Sequence, residues 1–515
     1  LHQKRKGLFL ALFLAVLFVF TAFPVFTASA APASPAAEDP LRLRAASAIL
    51  VDGKTGKILY AKNPEAVLAV GSMSKMFMEY LVLAAIKEEK ITWETTTVVS
   101  DYAWRISQNL RLSNVPLQKN TPYTVKELYE AAVIYSANGA TIALAELLAG
   151  SEGDFIRLAN NTAKELGLEN TTLVNSTGLD NQDLMGMHPA GTGPEATNLM
   201  TAKDLALLAF HLLRDYPEVL TVSKIPRKFF REGTPNAVRM DNWNWMLPGL
   251  VYGYEGVDGL KTGHTGQAGY CFTATAERDG RRLISVVMRT DSYQTRFAET
   301  RKLLDYGFNQ FAEVPLAPAG FDENGQMTLP VKNGRKGTVT VAPAETLRVL
   351  LKPGEKEDFE AVFQPALQLP GNRGLQAPLA KGEVVGYLVP AVKESARTKT
   401  RAYVYLTAAG REEERVPVLT TEAVAKAGWF TRLFRRIRAF FANLWQRLFP
   451  AKKGTGALLR LPAAAAGPPE AQAGPGQSRI NLDQVRIVAQ AQASNLSRRA
   501  RIFSFGCTPM ILSTA

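Results

Sequence analysis

An α+β fold is what the sequence predicts, followed by a small all-β domain and an amphipathic C-terminal helix. Three patterns carry that expectation. Apolar runs joined by β-hairpin turns stand at 46–60 and again at 270–288, and the stretch between them is dominated by helical periodicity. Strands at both ends of a helical segment bury their apolar faces together when they share one sheet against those helices. From 314 to 418 short alternating strands are separated by Gly/Pro turns, and from 429 onward aromatic and basic residues recur at helical spacing. The 515 residues leave room for two or three domains, and 46% hydrophobic with 21% charged residues excludes a disordered or multi-span membrane protein.

The first thirty residues read as a secretory signal peptide: basic Lys4, Arg5 and Lys6, an apolar run over 7–26, and Ala28-Ser29-Ala30 as a cleavage site. An uncleaved anchor is the competing reading, and either one exports the protein. The first hairpin follows, with the turn Asp52-Gly53-Lys54-Thr55-Gly56 between Ala46-Ser47-Ala48-Ile49-Leu50-Val51 and Lys57-Ile58-Leu59-Tyr60. A buried helix is expected over 74–88, which is rich in Met, Leu and Ala and lacks Gly and Pro. Further helices are expected around 125–135, 139–149, 152–166 and 202–214. The second hairpin turns at Asp279-Gly280, and a helix at 295–312 closes a first domain over 42–313. The β domain, sandwich-like, covers 314–418, with strands at 337–341, 347–351, 384–389 and 402–406.

Charge sharpens this picture. The net charge is +13, yet residues 31–422 carry 43 basic against 45 acidic residues. The excess sits at the ends, with three bases and no acid in 1–30 and fourteen bases against two acids in 423–515. A nucleic-acid binder carries its basic surface on the folded body, so none is expected. In 427–450, Trp429, Phe430, Leu433, Phe434, Ile437, Phe440, Phe441, Leu444, Trp445, Leu448 and Phe449 fall on one face, and five arginines supply the charge. That combination predicts a helix lying in a membrane surface rather than one docked on the β domain. Over 454–478, Ala, Gly and Pro fill 16 of 25 positions, so 451–515 is expected to be disordered. Two cysteines and four histidines, with no HExxH-type pair, argue against a metal site or a disulfide scaffold, and no cofactor is expected.

Three short motifs carry chemistry. Ser72-Met73-Ser74-Lys75 opens the buried helix and puts a hydroxyl and an amine on one face. A serine needs a base, and a lysine serves if burial and a second cation lower its pKa. Ser136-Ala137-Asn138 stands just before a helix, where a hydroxyl can pass a proton and an amide can grip a substrate. Lys261-Thr262-Gly263 begins the late hairpin, where a cation and a hydroxyl on a strand edge can hold a carboxylate. Each motif alone is weak. Ser107-Gln108-Asn109 repeats the second, and Lys54-Thr55-Gly56 repeats the third in a hairpin tip, where it is assigned to turn-making.

The ordered set S-x-x-K, S-x-N and K-T-G resembles the signature of serine β-lactamases and penicillin-binding proteins. Flanking residues narrow the resemblance to the low-molecular-mass penicillin-binding proteins that are D-alanyl-D-alanine carboxypeptidases. These are Gly256-Val257-Asp258-Gly259-Leu260 before Lys261, His264-Thr265-Gly266-Gln267-Ala268-Gly269-Tyr270 after Gly263, and Asn175-Ser176-Thr177-Gly178-Leu179-Asp180 between the second and third motifs. The resemblance spans 42–418 and implies a β-lactamase/transpeptidase-like catalytic domain, an antiparallel sheet flanked by helices.

It further implies Ser72 as the nucleophile, Lys75 as its base, and Ser136 and Asn138 on the proton path and substrate. Lys261 and Thr262 would hold the terminal carboxylate, and Gly263 would let the substrate approach. The backbone N–H groups of Ser72 and His264 would form the oxyanion hole, with the His264 side chain dispensable. The implied partners are peptidoglycan stem peptides ending in D-Ala-D-Ala, β-lactams, and the outer face of the cytoplasmic membrane. A D,D-endopeptidase, a β-lactamase and a non-turning-over sensor remain alternatives. The β-lactamase is disfavoured because no E-x-x-L-N segment lies between Ser136 and Lys261.

Overall fold

The computed structural model of the chain describes residues 39–320, 327–366, 375–400, 402–448 and 486–487. The expected signal peptide and nearly all of the expected tail lie outside the described residues. The described residues from Arg44 onward belong to one compact unit.

Five antiparallel strands build the main sheet. They are β1 (Ser47–Asp52), β2 (Ile58–Lys62), β3 (Val257–Thr265), β4 (Gly269–Arg278) and β5 (Arg281–Thr290), in the order β2-β1-β5-β4-β3. The terminal strands do meet in one sheet, since Ser47 of β1 pairs with Met288 of β5 and the register continues to Asp52 opposite Leu283. Ile49 and Val51 join the large core shared with the helices, while Leu50 faces the other way, towards Gly307. A sheet covered on both faces explains why its strands read as unbroken apolar runs.

Between the hairpins lie α1 (Met76–Lys87), α2 (Asp101–Gln108), α3 (Val125–Ile134), α4 (Asn138–Ala149), α5 (Glu152–Glu165) and α6 (Ala202–Asp215). Their starts follow side-chain caps. Thr124 and Glu127 form a reciprocal capping box at α3, and the Ser151 and Thr201 hydroxyls accept from Asp154 N and Asp204 N at α5 and α6. The helix expected over 74–88 differs in its first turn. Residues 71–75 are a 3-10 turn, and the α-helix begins only at Met76. A 3-10 turn eclipses residues three apart, so Lys75 comes directly over Ser72. After β5, α7 (Tyr293–Gln310) packs on β4 and β5 and ends two residues before the 295–312 expectation.

The next strand, β6 (Ala312–Ala317), pairs with β9 (Leu347–Leu351). A second sheet contains β7 (Met327–Lys332), β8 (Thr338–Pro343), β10 (Phe359–Pro365), β11 (Val384–Val392) and β12 (Val416–Thr420), ordered β7-β8-β12-β11-β10. Val339, Val341, Leu347, Val349, Phe363, Leu388 and Val418 fill a separate core there. The strand expected at 402–406 does not join this sheet. Instead Ile58 N donates to Val404 O (2.8 Å) and Leu406 N to Gly56 O (2.9 Å), so the segment covers the edge at β2. Lys57, buried at this junction, donates to Leu350 O (2.8 Å) and Glu414 (3.1 Å). A long helix, α8 (Trp429–Leu448), ends the described chain before 486–487. Its described apolar side chains, from Trp429 to Leu444, are all exposed, with Phe434 at 69%.

Candidate active site

The three motifs converge at the edge of β3. Of residues 71–79, Ser72 alone is only half-buried, while the rest of the turn is closed. Lys75 is fully buried, and its Nζ donates to Ser72 Oγ (2.8 Å), Asn138 Oδ1 (2.8 Å) and Thr177 O (2.6 Å). Those three acceptors use every N–H of an ammonium. After one proton is lost, Asn138 and Thr177 can still be satisfied while the lone pair faces the serine hydroxyl. Burial lowers the Lys75 pKa well below its usual value, Lys261 lowers it further, and Glu79 opposes both. A desolvated amine against a hydroxyl is the arrangement that turns serine into a nucleophile.

Ser136 sits between α3 and α4 with φ +59°, in the left-handed region that non-glycine residues rarely adopt. That conformation brings its hydroxyl to Lys261, whose Nζ donates to Ser136 Oγ at 2.9 Å. Asn138 is the first residue of α4 and donates from Nδ2 to Ser113 O (3.0 Å), which fixes its amide so that Oδ1 faces Lys75. Lys261 is buried, and desolvation brings its pKa down to about 8, against the pull of Glu79.

Two glycines let the serine turn dock on β3. A Cβ at Gly71 (φ +54°) would lie 2.8 Å from His264 N, and one at Gly263 would lie 2.3 Å from Val70 O. Gly263 therefore admits the chain's own nucleophile turn, in addition to any approach by substrate. Thr262 is nearly buried beside it. The His264 ring is exposed and lies flat on Tyr270, 4.0 Å between centroids, with Nδ1 near Gly269 O (3.1 Å). Both partners belong to the neighbouring strand β4, and neither contact of the ring involves Ser72.

Sequence reasoning missed two contributors. Thr177 offers only its backbone carbonyl, which accepts from Lys75 and from Ser72 Oγ (3.4 Å). The Asn175 side chain holds that carbonyl in place by accepting from Thr177 N (3.0 Å) and Gly178 N (2.7 Å). Arg296 of α7 is 1% exposed, donates to Gly263 O at 3.4 Å, and leaves Nε and one terminal nitrogen without a partner. It adds positive potential behind the Lys-Thr-Gly edge, and desolvation brings its own pKa to about 10.

The repeated motifs lie elsewhere. Ser107 is buried and donates to Trp104 O (2.6 Å), and Asn109 caps α2. Lys54 is exposed on the hairpin tip, next to Thr55, which bonds Asp52. Cys271 is buried, with its pKa pushed up to about 11 by desolvation, which leaves an unreactive thiol.

A serine held by a desolvated lysine, with a second lysine bonded to a second serine hydroxyl beside it, is the constellation that serine β-lactamases and penicillin-binding proteins share. Residues 33–292 match the family model of the D-alanyl-D-alanine carboxypeptidases, and 318–426 match that of the penicillin-binding protein 5 C-terminal domain. The chain is 32% identical over 392 residues to D-alanyl-D-alanine carboxypeptidase DacF of Bacillus subtilis, covering 76% of this chain and 88% of that one. It is 33% identical over 411 residues to DacC of Escherichia coli, covering 78% and 91%. Penicillin-binding protein 3 of Streptococcus pneumoniae aligns with TM-score 0.62 at 30% identity, over 74% of this chain and 99% of that one. Penicillin-binding protein 5 of Haemophilus influenzae aligns with TM-score 0.57 at 28% identity, over 75% and 98%. The chain belongs to the D-alanyl-D-alanine carboxypeptidase family of low-molecular-mass penicillin-binding proteins.

Proposed function

We propose that this protein is a serine-type D,D-carboxypeptidase that removes the terminal D-alanine from peptidoglycan stem peptides through an acyl-enzyme on Ser72. The observation that carries the reading is the buried Lys75 amine 2.8 Å from Ser72 Oγ, with Lys261 bonded to Ser136 opposite. Neutral Lys75 takes the Ser72 proton as Oγ bonds to the carbonyl carbon of the penultimate residue. The C–N bond then breaks, and the proton returns through Ser136 to the departing D-alanine amine. Water hydrolyses the remaining ester and restores the hydroxyl. Lys261 and Thr262 hold the terminal carboxylate, Arg296 reinforces the field behind them, and Asn138 grips the acyl chain. The N–H groups of Ser72 and His264 receive the oxyanion. β-Lactams, which present a carboxylate and a strained amide, acylate the same serine.

The protein is exported and acts at the outer face of the cytoplasmic membrane, held there by α8 lying in the anionic lipid surface. Its exposed aromatic and aliphatic side chains support this, and no described helix is long and apolar enough to cross a membrane. The test is D-alanine release from diacetyl-Lys-D-Ala-D-Ala. Steady turnover is expected, and a single burst of labelling without turnover would assign a sensor instead.

A further inference from the structure

Glu79 is a buried charged group close to the site that the mechanism above does not use. It lies on α1 four residues after Lys75, the residue that caps that helix, and so about one turn along the same side; it is 0% exposed, and neither carboxyl oxygen has a hydrogen-bond partner. A carboxyl in that position is unusual, because buried polar atoms are almost always paired. The charged groups acting on it are Lys75, at the end of the 3-10 turn that leads into α1, and Lys261 of β3. From α3 the Tyr129 hydroxyl faces it, also buried and unpaired, and Tyr129 in turn feels Glu218. Lys261 feels Arg296 of α7 from the far side. The helices α4, α5 and α6 also pack against α1 and add no charge to that set. The desolvated volume thus holds two lysines and one acid.

We propose that Glu79 is a positioning residue, the buried counter-charge shared by Lys75 and Lys261, and that it sets which lysine carries the site's proton. The inference rests on the reading of Ser72 and Lys75 given above. Before substrate binds, one negative charge balances one ammonium. Lys261 can keep its proton to bind a carboxylate, and Lys75 can give its proton up to act as a base. During acylation the Ser72 proton moves to Lys75, and two ammonium groups briefly coexist. The Glu79 carboxylate is then what keeps the second from being expelled before the leaving amine collects it. Burial raises the Glu79 pKa to about 7, so its own charge state changes in the range where the enzyme works.

The test uses the full-length protein, a chromogenic cephalosporin as probe, and the second-order acylation rate followed against pH. Removing the negative charge with Glu79→Gln favours the neutral form of both lysines. The alkaline limb, set by loss of the Lys261 proton above the pH at which Glu79 ionises, should move to lower pH by about one unit. The acid limb, set by loss of the Lys75 proton, should move the same way to the extent that it lies above about pH 7, where Glu79 is charged. Glu79→Asp keeps the charge and should keep both limbs within about half a unit of the unsubstituted protein. A uniform rate loss in Glu79→Gln with both limbs in place would overturn the proposal, because a purely packing role lowers rates without moving a pH profile. A shift to higher pH would overturn it too. If Glu79→Gln does not fold, the Asp variant decides: limbs displaced in a folded protein that retains the carboxylate would contradict the inference. Failure of the unsubstituted protein to be acylated at any pH would sink the underlying function instead, so the two failures are distinct.

Discussion

Replacing Lys261 by alanine removes the cation that receives the substrate carboxylate. The structure fixes how much this should cost. Lys261 is 2% exposed and its Nζ bonds Ser136 Oγ at 2.9 Å, so a bound carboxylate would meet it largely out of water. Deleting one partner of a buried ion pair costs roughly 3–5 kcal/mol. At 1.36 kcal/mol per factor of ten, that corresponds to a fall of about 10²–10⁴ in kcat/KM. A second effect separates this loss from simple misfolding. Lys261 is one of the groups that lower the Lys75 pKa, so its removal should raise that pKa and move the acid limb of the rate profile to higher pH. Lys54→Ala supplies the control: the same triplet in an exposed turn should change rates by less than about 0.5 kcal/mol, near twofold. The assay is the initial rate of D-alanine release from diacetyl-Lys-D-Ala-D-Ala between pH 5 and 10. Equal damage from the two substitutions, or a Lys261→Ala loss of less than about tenfold, would refute the carboxylate role.

Three further outcomes follow from the same geometry. A Cβ at Gly178 (φ +76°) would lie 2.0 Å from Gly71 O and 2.7 Å from Ser74 Oγ, so Gly178→Ala should displace the Thr177 carbonyl from Lys75. β-Lactam acylation should fall at least about tenfold, and the thermal midpoint should drop by roughly 2–4 °C per kcal/mol lost. In the unsubstituted enzyme, kcat/KM should rise as Lys75 deprotonates below its usual range and fall above pH about 8 as Lys261 loses its proton. A bound carboxylate favours the Lys261 ammonium, so the alkaline limb of kcat should lie at higher pH than that of kcat/KM. Truncation after Gly428 removes the two-residue pairing of 486–487 with the edge of β10 and keeps the Ala427 N to Asn333 O bond and every other strand of the β domain, which should stay folded. The shortened, signal-cleaved protein should keep peptide hydrolysis and lose binding to anionic vesicles, where each basic residue near the surface contributes on the order of 1 kcal/mol. Full vesicle retention after truncation would remove α8 as the anchor.

How much of this could be read from the sequence depended on the kind of signal. The helices over 125–135, 152–166 and 202–214 were legible because periodicity coincided with capping residues at Thr124, Ser151 and Thr201. The 3-10 turn at 71–75 was not legible, since residues three apart share a face in both helix types. Segment 402–406 alternates like a strand, but alternation says only that a strand has two faces and does not name its neighbour. At the site, the side chains could be found through the ordered motifs, but that Lys75 bonds Asn138 and Lys261 bonds Ser136 is added by the structure, since motif order does not say which members touch. The Thr177 contribution is a backbone carbonyl and leaves no residue-type signature. Glu79 did leave one, as a charged residue among otherwise apolar buried positions of α1, whereas Arg296 did not, because the buried positions of α7 also include Thr295, Glu299 and Thr300.

The most direct measurement is the intact mass of the protein after brief exposure to benzylpenicillin, followed by mapping of the modified peptide. One covalent adduct on the peptide containing Ser72 is predicted, abolished by Ser72→Ala in a protein whose thermal unfolding is unchanged. An adduct that survives that substitution, or that maps to another residue, would contradict the assignment of Ser72 as the nucleophile.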